Sequence, residues 1–246
     1  MSDLGMIDSV ARQQRLASET AGRPWPLPDV PWSQAETRRD LMLAHWRVEL
    51  SDLARLLPPG LAVDTHAGAP WLGISAFRVE SFRLRGLPPF PTLSSARRLE
   101  TFTYVTVDGR PGLWHFSIEV SNRLHAEAAK RTHRLPAYRA QVRQAAGSVE
   151  AERDGYAFRA EFRDAGEPFE PLAGSLDHFL TERYALYTED GGRLYRAEVN
   201  HGPWSLRRAT ATVTTATLAP LPLEGEPHAL TSRVEDILLW PLEEIG

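Results

Sequence analysis

The 246-residue sequence contains no cysteine, which excludes disulfide bonds, thiolate nucleophiles and cysteine-ligated metal sites. Of its 28 lysine and arginine residues, only Lys130 is a lysine, so a side-chain amine is offered at one position. No apolar run approaches the length of a membrane span, and the N-terminal segment lacks the apolar core of a signal peptide. We therefore expect a soluble, cytoplasmic protein that makes no membrane contact.

An excess of positive charge is also absent. The formal net charge is −4 and the pI is about 6.1, which argues against a nucleic-acid partner. Glycine-rich phosphate loops, nucleotide-binding fingerprints and the GxSxG motif are missing, so no cofactor is expected. His125 and His133 are eight residues apart rather than four, and no metal site is expected. The oligomeric state is left open.

The composition, 42% hydrophobic and 24% charged, is that of a globular protein. Residues 1–35 are polar and then proline-rich, which predicts an arm packed on a single domain of residues 36–246. Ser33 with Glu36 forms a capping-box pattern and predicts a short helix or turn before a strand near residues 45–48. Three further helices are predicted behind residues with capping side chains: Ser51, Asn122 and Ser175.

Alternation with a period of two residues dominates the remainder. Residues 71–85 predict one bent strand, or two strands joined by a bulge. Three strand pairs flank Asp108-Gly109, Asp154-Gly155 and Asp190-Gly191-Gly192, turn sequences that tolerate the positive φ angles of tight hairpins. These features predict an α+β fold, a mainly antiparallel sheet curled into an open cone-like barrel with flanking helices.

The stretch GRPGLWHFSIEV, residues 109–120, is central to any functional reading. In a regular strand its two faces would be Trp114, Phe116, Ile118 and Val120 on one side and Leu113, His115, Ser117 and Glu119 on the other. Counting from the preceding turn places Thr103 opposite Trp114, and a slip of one residue would exchange the faces. Periodicity leaves open whether the polar face lines a cavity or meets solvent.

If the polar face lines a cavity, Glu100, His115 and Glu119 are candidate general acids and bases, and Tyr104 and Ser117 are candidate ligand contacts. Burial would raise a carboxyl pKa toward the working range. If the face is solvated, these residues form cross-strand pairs worth only tenths of a kcal/mol. Arg83 is the candidate clamp for an anionic ligand; the alternative is an edge arginine in water.

Several segments occur together in a recognisable order: LMLAHWRV, LLPPGLAVDTHAGAPWLGISAFRV, RLRGLPPFP, TYVTVDGRPGLWHFSIEVSN, RLPAY, FLTERYALYT and EVNHGPWSLRRA. In order and spacing the chain resembles the YqjF-like uncharacterised family, the domain of unknown function numbered 2071, over residues 38–241. That family is similar in fold to acetoacetate decarboxylase. The resemblance implies a curved antiparallel sheet around a central cavity, with His115, Ser117 and Glu119 at its mouth.

Two departures from the related patterns bear on chemistry. Family members tend to read ELNVRTYV where this chain reads RLETFTYV, so Glu100 and Phe102 replace an asparagine and an arginine. Acetoacetate decarboxylase forms a Schiff base through a lysine of a Pro-Lys-Lys motif, and the corresponding place here is LPAY, where Ala137 and Tyr138 cannot form an imine. Lys130 lies nearby on a predicted helix, where pairing with Glu127 is expected.

Two functional hypotheses follow from these residues. The first is a protein that binds a small organic acid or carbonyl compound in the cavity of the cone, held by Arg83 and the polar strand face. The second is a lyase or hydrolase that uses Glu100, His115 and Glu119 in acid–base chemistry without a Schiff-base lysine. The sequence leaves open whether the protein is an enzyme.

Overall fold

The computed structural model describes residues 3–89 and 95–245, with side chains from residue 8 onward. Its helices are α1 (Asp3–Leu16), α2 (Leu50–Ala54), α3 (Arg123–His133) and α4 (Leu176–Thr181). Its strands are β1 (Gln34–Arg47), β2 (Ala62–Val63), β3 (Thr65–His66), β4 (Ala69–Leu84), β5 (Ala96–Val107), β6 (Arg110–Val120), β7 (Ala137–Arg139), β8 (Gln141–Ala145), β9 (Ser148–Arg153), β10 (Tyr156–Asp164), β11 (Ala185–Asp190), β12 (Arg193–His201), β13 (Leu206–Ala216), β14 (His228–Leu239) and β15 (Glu243–Ile245).

The strands form a ring-like sheet. Strands β12, β11, β6, β5, β4, β1 and β14 are neighbours in that order, and β14 pairs back with β12 through Val199 and Leu239. Beyond β14 the sheet continues through β13, β10, β9 and β8. Pairing is antiparallel except where β6 meets β11 and β7. The predicted fold class, a mainly antiparallel sheet curled around a centre with few helices, is confirmed.

Buried apolar side chains form one core inside the ring and a second core on its outer face. The inner core includes Leu43, Phe77 and Ile118. The outer core includes Ile74, Leu99 and other residues of the ring's outer face, together with buried residues of β8, β9 and β10. The continuation of the sheet therefore packs over the ring as a second layer, so a polar residue buried on the outer face is covered by that layer and does not reach the interior.

The three predicted hairpins are confirmed. Val107 pairs with Arg110, Arg153 with Tyr156 and Asp190 with Arg193. Asp108 and Gly109 both have positive φ angles, 49° and 74°, as a two-residue hairpin turn of this kind requires. The predicted long strand is present as the 16-residue β4.

The helix or turn predicted after Ser33 is wrong, because residues 34–47 form strand β1. This strand is part of the ring, where it lies between β4 and β14 and pairs with both. Two neighbouring strands satisfy its backbone groups on both sides, and this tertiary pairing overrides a local capping pattern. Asp40, with φ 51°, lies at a register shift, so Glu36 and Arg38 before it share the interior with Leu41 and Leu43 behind it.

The predicted caps differ in outcome. Asn122 caps α3 by accepting from the backbone N–H groups of Leu124 and His125, and Ser175 caps α4 through the N–H of His178. Ser51 does not cap its helix, because α2 begins one residue earlier and its N-cap residue, Glu49, makes no side-chain bond.

The N-terminal arm lies against the outside of the ring. The buried Gln13 side chain donates to Thr37 Oγ1, and Arg12 pairs with Asp236 at 2.5 Å. Asn200 in turn donates to the carbonyl of Leu16. No helix in the described ranges has both the length and the apolar character needed to cross a bilayer.

Candidate functional site

A β-bulge at Phe116 decides which residues of β6 face the interior. Thr101 pairs with Ser117, but the next residue of β5, Phe102, pairs with His115, which leaves Phe116 without a partner in β5. An unpaired residue of this kind reverses the alternation of side chains on its two sides. His115 therefore shares the inner face with Ile118, the residue opposite Glu100.

The predicted shared face of His115, Ser117 and Glu119 is wrong for this reason. Ser117 and Glu119 lie on the outer face, where the Ser117 hydroxyl donates to Glu119 Oε2 at 3.2 Å. Arg153 of β9 pairs with Glu119 at 3.2 Å. Burial raises the pKa of Glu119, although Arg153 opposes that effect. Neither Ser117 nor Glu119 lines the interior cavity.

Arg83 also lies away from the interior, so it cannot clamp a ligand there. Its Nε donates to Gln13 Oε1 at 2.7 Å, and its guanidinium lies 4.8 Å from the centre of the Trp32 ring. Arg83 is paired in register with Ala35, which packs in the cluster beneath the N-terminal arm. Its role in the structure is to hold α1 against the ring.

The interior contains a cavity of about 80 Å³ with a smaller chamber of about 30 Å³ beside it. Arg38, Glu100 and His115 line both chambers and so form the wall between them. Residues of α4 and of the segment after β12 line the larger chamber, and residues of α3 line the smaller one. A water needs about 10–15 Å³ of such space, so the larger chamber has room for a molecule of a few heavy atoms.

A buried cluster of alternating charges occupies this wall. Arg98 donates to both carboxylate oxygens of Glu36, at 3.1 and 3.0 Å, and to Oε1 of Glu100 at 3.1 Å. Arg38 donates from Nε to Glu36 at 2.8 Å, and its Nη1 lies 3.8 Å from Glu100. The bidentate geometry fixes the orientation of Arg98, and each carboxylate meets two guanidinium groups.

The pKa values of this cluster follow from burial opposed by charge. Burial alone would raise the pKa of Glu100, but Arg38, His115 and Arg98 outweigh burial and hold the pKa well below its usual range. The pKa of Glu36 is lowered in the same way, chiefly by Arg98 and then by Arg38. Glu100 is therefore an ionised carboxylate and not a proton donor near neutral pH.

His115 lies beside Glu100, with Nε2 and Oε2 3.5 Å apart. Its Nδ1 is buried and has no hydrogen-bond partner among the described residues. If Nε2 of the neutral ring carries the proton and donates it to Glu100, Nδ1 has a lone pair that can accept a hydrogen bond or a proton. The pair can therefore act as a carboxylate-oriented base toward the cavity.

Further polar atoms of the cavity wall also lack partners in the described part of the chain. His201 donates from Nδ1 to the carbonyl of Gly202, whereas its Nε2 is unpaired, as is Nε1 of Trp204. Both residues line the larger chamber. Buried polar atoms in folded proteins are nearly always bonded, so these nitrogens mark a place where water or a ligand belongs.

Tyr104 lies in the interior but is used structurally. It is fully buried, and its hydroxyl donates to the carbonyl of Leu180 in α4 at 3.1 Å. Burial raises its pKa far above the ordinary value, so it is a neutral hydrogen-bond donor. Phe102, which stands where the family pattern has arginine, packs edge-on against Tyr104 and against His45.

Lys130 lies on the surface of α3, as expected. Its Nζ is 3.6 Å from Glu127, and both side chains are about two-fifths exposed. The neighbouring candidate position, Tyr138, is also exposed. Within the described ranges, no group of three potential metal ligands comes together.

Sequence reasoning missed Glu36, Arg38 and Arg98, together with His201 and Trp204. The sequence contained a signal for the first three residues, because Glu36 with Arg38 and Arg98 with Glu100 are pairs of opposite charge two residues apart. Charges spaced in this way lie on one face of a strand. The prediction of a short helix or turn after Ser33 concealed the first pair.

Solved structures with a similar fold support this architecture. An acetoacetate decarboxylase from Legionella pneumophila aligns with a TM-score of 0.67 at 11% identity, covering 94% of this chain and 95% of that one. The enduracididine biosynthesis enzyme MppR complexed with pyruvate aligns with a TM-score of 0.62 at 14% identity, covering 93% and 95%. Identities this low show the fold and not the activity.

The sequence relatives are closer. The uncharacterized protein YqjF of Bacillus subtilis (strain 168) is 35% identical over 230 residues, which cover 89% of this chain and 95% of that protein. The model of the DUF2071 family, described as an uncharacterized conserved protein, matches residues 35–235. The chain therefore belongs to the DUF2071 family, within an acetoacetate decarboxylase-like fold.

Proposed function

We propose that this protein binds a small organic acid or carbonyl compound in the interior cavity. The observation that carries the proposal is that three residues lining the cavity each have a buried nitrogen without a partner among the described residues: Nδ1 of His115, Nε2 of His201 and Nε1 of Trp204. A small oxygen-bearing ligand would engage them in two ways. The indole N–H is a donor, whereas Nε2 of His201 is an acceptor, because Nδ1 of the same ring donates to a carbonyl. Nδ1 of His115 accepts in the neutral ring and donates in the protonated one.

Size and polarity support the same class of ligand. The larger chamber, about 80 Å³ in volume, is smaller than the ~300–1,000 Å³ of drug-sized ligand sites. Apolar side chains such as Leu113 and Val199 form much of its wall. A compact molecule with one apolar end and one oxygen-rich end fits these surroundings. The MppR structure, which is similar in fold, is a complex with pyruvate, and pyruvate is accordingly the first compound to test.

Replacing Trp204 with phenylalanine tests the site with little disturbance of the fold. The change removes an N–H group that has no partner among the described residues, so the loss of unfolding free energy should be that of reduced core packing alone. Binding should weaken by about 3- to 10-fold, the worth of one hydrogen bond. Binding is measured by calorimetry and by thermal shift against pyruvate and other short organic acids and carbonyl compounds. A ligand at a hundred times its Kd stabilises by about 2.7 kcal/mol.

Trp46→Phe is the matched control. Trp46 is as buried as Trp204, but its Nε1 donates to the carbonyl of Gly225 and it belongs to the outer core. This variant should bind as the parent protein does and lose some stability. Equal affinities of the parent and Trp204→Phe, or no binding by any compound of the series, would contradict the proposed site.

A lyase or hydrolase is the second candidate, favoured by the pairing of Glu100 with His115 beside the cavity. In such an enzyme the histidine would transfer a proton while the ionised carboxylate orients it. Turnover should then fall by about a hundredfold or more in His115→Asn, as is usual when a general base is lost. Compounds that bind are incubated with the protein, and products are followed by NMR. Turnover that survives the substitution would exclude His115 from the chemistry.

A further inference from the structure

The charged groups around the two chambers already cancel one another. Three guanidinium groups line the chambers, and each lies within 4 Å of a carboxylate oxygen. The ion pairs are Arg98 with Glu36 and Glu100, Arg38 with Glu36 and Glu100, and Arg183 with Asp64 at 2.5 Å. Glu36 and Glu100 line the chambers together with the three arginines, whereas Asp64 lies behind Arg183. The charges balance when this partner of Arg183 is counted with the wall.

This balance constrains how an acid can bind. A ligand carboxylate that entered alone would leave one buried negative charge without a counter-ion, which is strongly unfavourable in a desolvated site. Arg98 cannot turn toward the ligand without giving up its bonds to Glu36, and Arg38 is held by the same carboxylate. A proton taken up with the ligand would restore neutrality.

Resting on the proposed function, we propose that the cavity binds an organic acid together with one proton, and that His115 is the residue that holds this proton. The resulting imidazolium would donate from Nδ1 to the ligand carboxylate and from Nε2 to Glu100. His115 is the residue with the necessary geometry, because its Nδ1 is unpaired at the cavity and its Nε2 is 3.5 Å from a carboxylate oxygen.

The surroundings of His115 contain charges of both signs. Several titratable and charged groups line the two chambers beside it. They are Glu100 and Arg98 on β5, Glu36 and Arg38 on β1, His125 on α3, His201 on β12 and Arg183 beyond α4. Glu100 is the carboxylate within ion-pair distance of the ring. A bound carboxylate at Nδ1 adds a second favourable charge.

His201 is less suited to this role. Its ring stacks on Tyr184 with centroids 4.5 Å apart, and its Nδ1 is engaged by a backbone carbonyl. Burial lowers its pKa, and no carboxylate is recorded within ion-pair distance of it in the described residues. Protonating it would create a buried cation at a distance from the charge cluster.

Calorimetry with pyruvate and pyruvamide tests the inference. Pyruvamide has the same number of heavy atoms as pyruvate but no charge. Titration in buffers of different ionisation enthalpy should show uptake of about one proton per pyruvate and none per pyruvamide. Because binding consumes a proton, the association constant for pyruvate should fall by about tenfold for each unit rise in pH wherever uptake is complete, while that for pyruvamide stays constant.

The variant His115→Asn keeps a polar side chain but cannot hold the proton. It should abolish proton uptake and weaken pyruvate binding at neutral pH by about tenfold or more. Pyruvamide should lose no more than the ~3- to 10-fold worth of one hydrogen bond, and its affinity should stay independent of pH. His66→Asn, which lies outside the cavity and contacts Gly174, should behave as the parent protein does.

Pyruvate binding without proton uptake would overturn the inference and leave the proposed function standing. Uptake that persists in His115→Asn would overturn the assignment to this residue. Failure of both compounds to bind would overturn the proposed function and, with it, this inference.

Discussion

Replacing Arg98 with methionine is expected to destabilise the protein by about 3–5 kcal/mol, the usual result of removing one partner from a buried ion pair. Arg98 is 7% exposed and is the shared partner of Glu36 and Glu100. Without it, Arg38 is the one guanidinium that contacts the two buried carboxylates among the described residues. The loss is a large share of the ~5–15 kcal/mol that stabilises a domain, and urea unfolding at pH 7 measures it.

Two further variants make this result interpretable. Arg143→Met removes an exposed arginine whose pair with Glu150 spans 3.7 Å, and should cost less than about 1 kcal/mol. In the double variant, Glu100→Gln accompanies Arg98→Met and leaves Glu36 paired with Arg38 at 2.8 Å, one charge of each sign, so much of the lost stability should return. A loss in Arg98→Met no larger than that of the exposed control would show that the cluster does not stabilise the fold.

The same cluster determines how the free energy of unfolding changes at acidic pH. The pKa values of Glu36 and Glu100 are lowered in the folded protein. Their contribution to the free energy of unfolding is therefore fully present above the unfolded pKa of about 4.3. It is lost as pH falls through the lower pKa values of the folded protein. The difference between the parent protein and Arg98→Met should therefore narrow as the solution is made acidic.

The second large effect is expected at Glu235, where glutamine should stabilise the protein increasingly as pH rises. Glu235 is 5% exposed, and burial raises its pKa to about 8, against the opposing effect of hydrogen bonds from Ser232 and from the backbone of Ser205. The carboxyl group is therefore protonated in the folded protein at neutral pH, while it is ionised in the unfolded chain, where its pKa is about 4.3.

The sign follows from this difference. A carboxyl group whose pKa is raised by folding contributes its full share to the free energy of unfolding below its unfolded pKa. As pH rises from the unfolded pKa toward the folded pKa, this contribution falls by about 1.4 kcal/mol per pH unit. Glutamine does not titrate and can still accept from the Ser232 hydroxyl, which contacts Oε1 at 2.7 Å. From pH 5 to pH 8, the advantage of Glu235→Gln should grow by about 4 kcal/mol.

Urea unfolding at pH 5, 6, 7 and 8 checks this prediction. Glu224→Gln is the matched control, because Glu224 is exposed and its substitution should leave the pH profile parallel to that of the parent. Parallel profiles for Glu235→Gln as well would mean that Glu235 is ionised in the folded protein, and the account of a neutral buried carboxyl would be wrong.

The site itself could be predicted only in part. Glu100 and His115 were recognised from the sequence and lie together at the cavity, but Ser117 and Glu119 were grouped with them on the assumption of unbroken alternation. The bulge at Phe116 breaks that alternation within two residues of His115. A second irregularity at Asp40 brings Arg38 to the inside, whereas Arg83, the arginine chosen from the sequence, lies beneath the N-terminal arm.

Local signals in the sequence were sufficient for the sheet-dominated fold, the three glycine-containing hairpins and the caps at Asn122 and Ser175, because each depends on a few adjacent residues. The sequence also restricted imine chemistry to one lysine, and the family resemblance was confirmed. Only the tertiary structure decided which side chains meet in the interior. A bulge depends on pairing between strands distant in sequence, and a shift of one residue moves every later side chain to the opposite face.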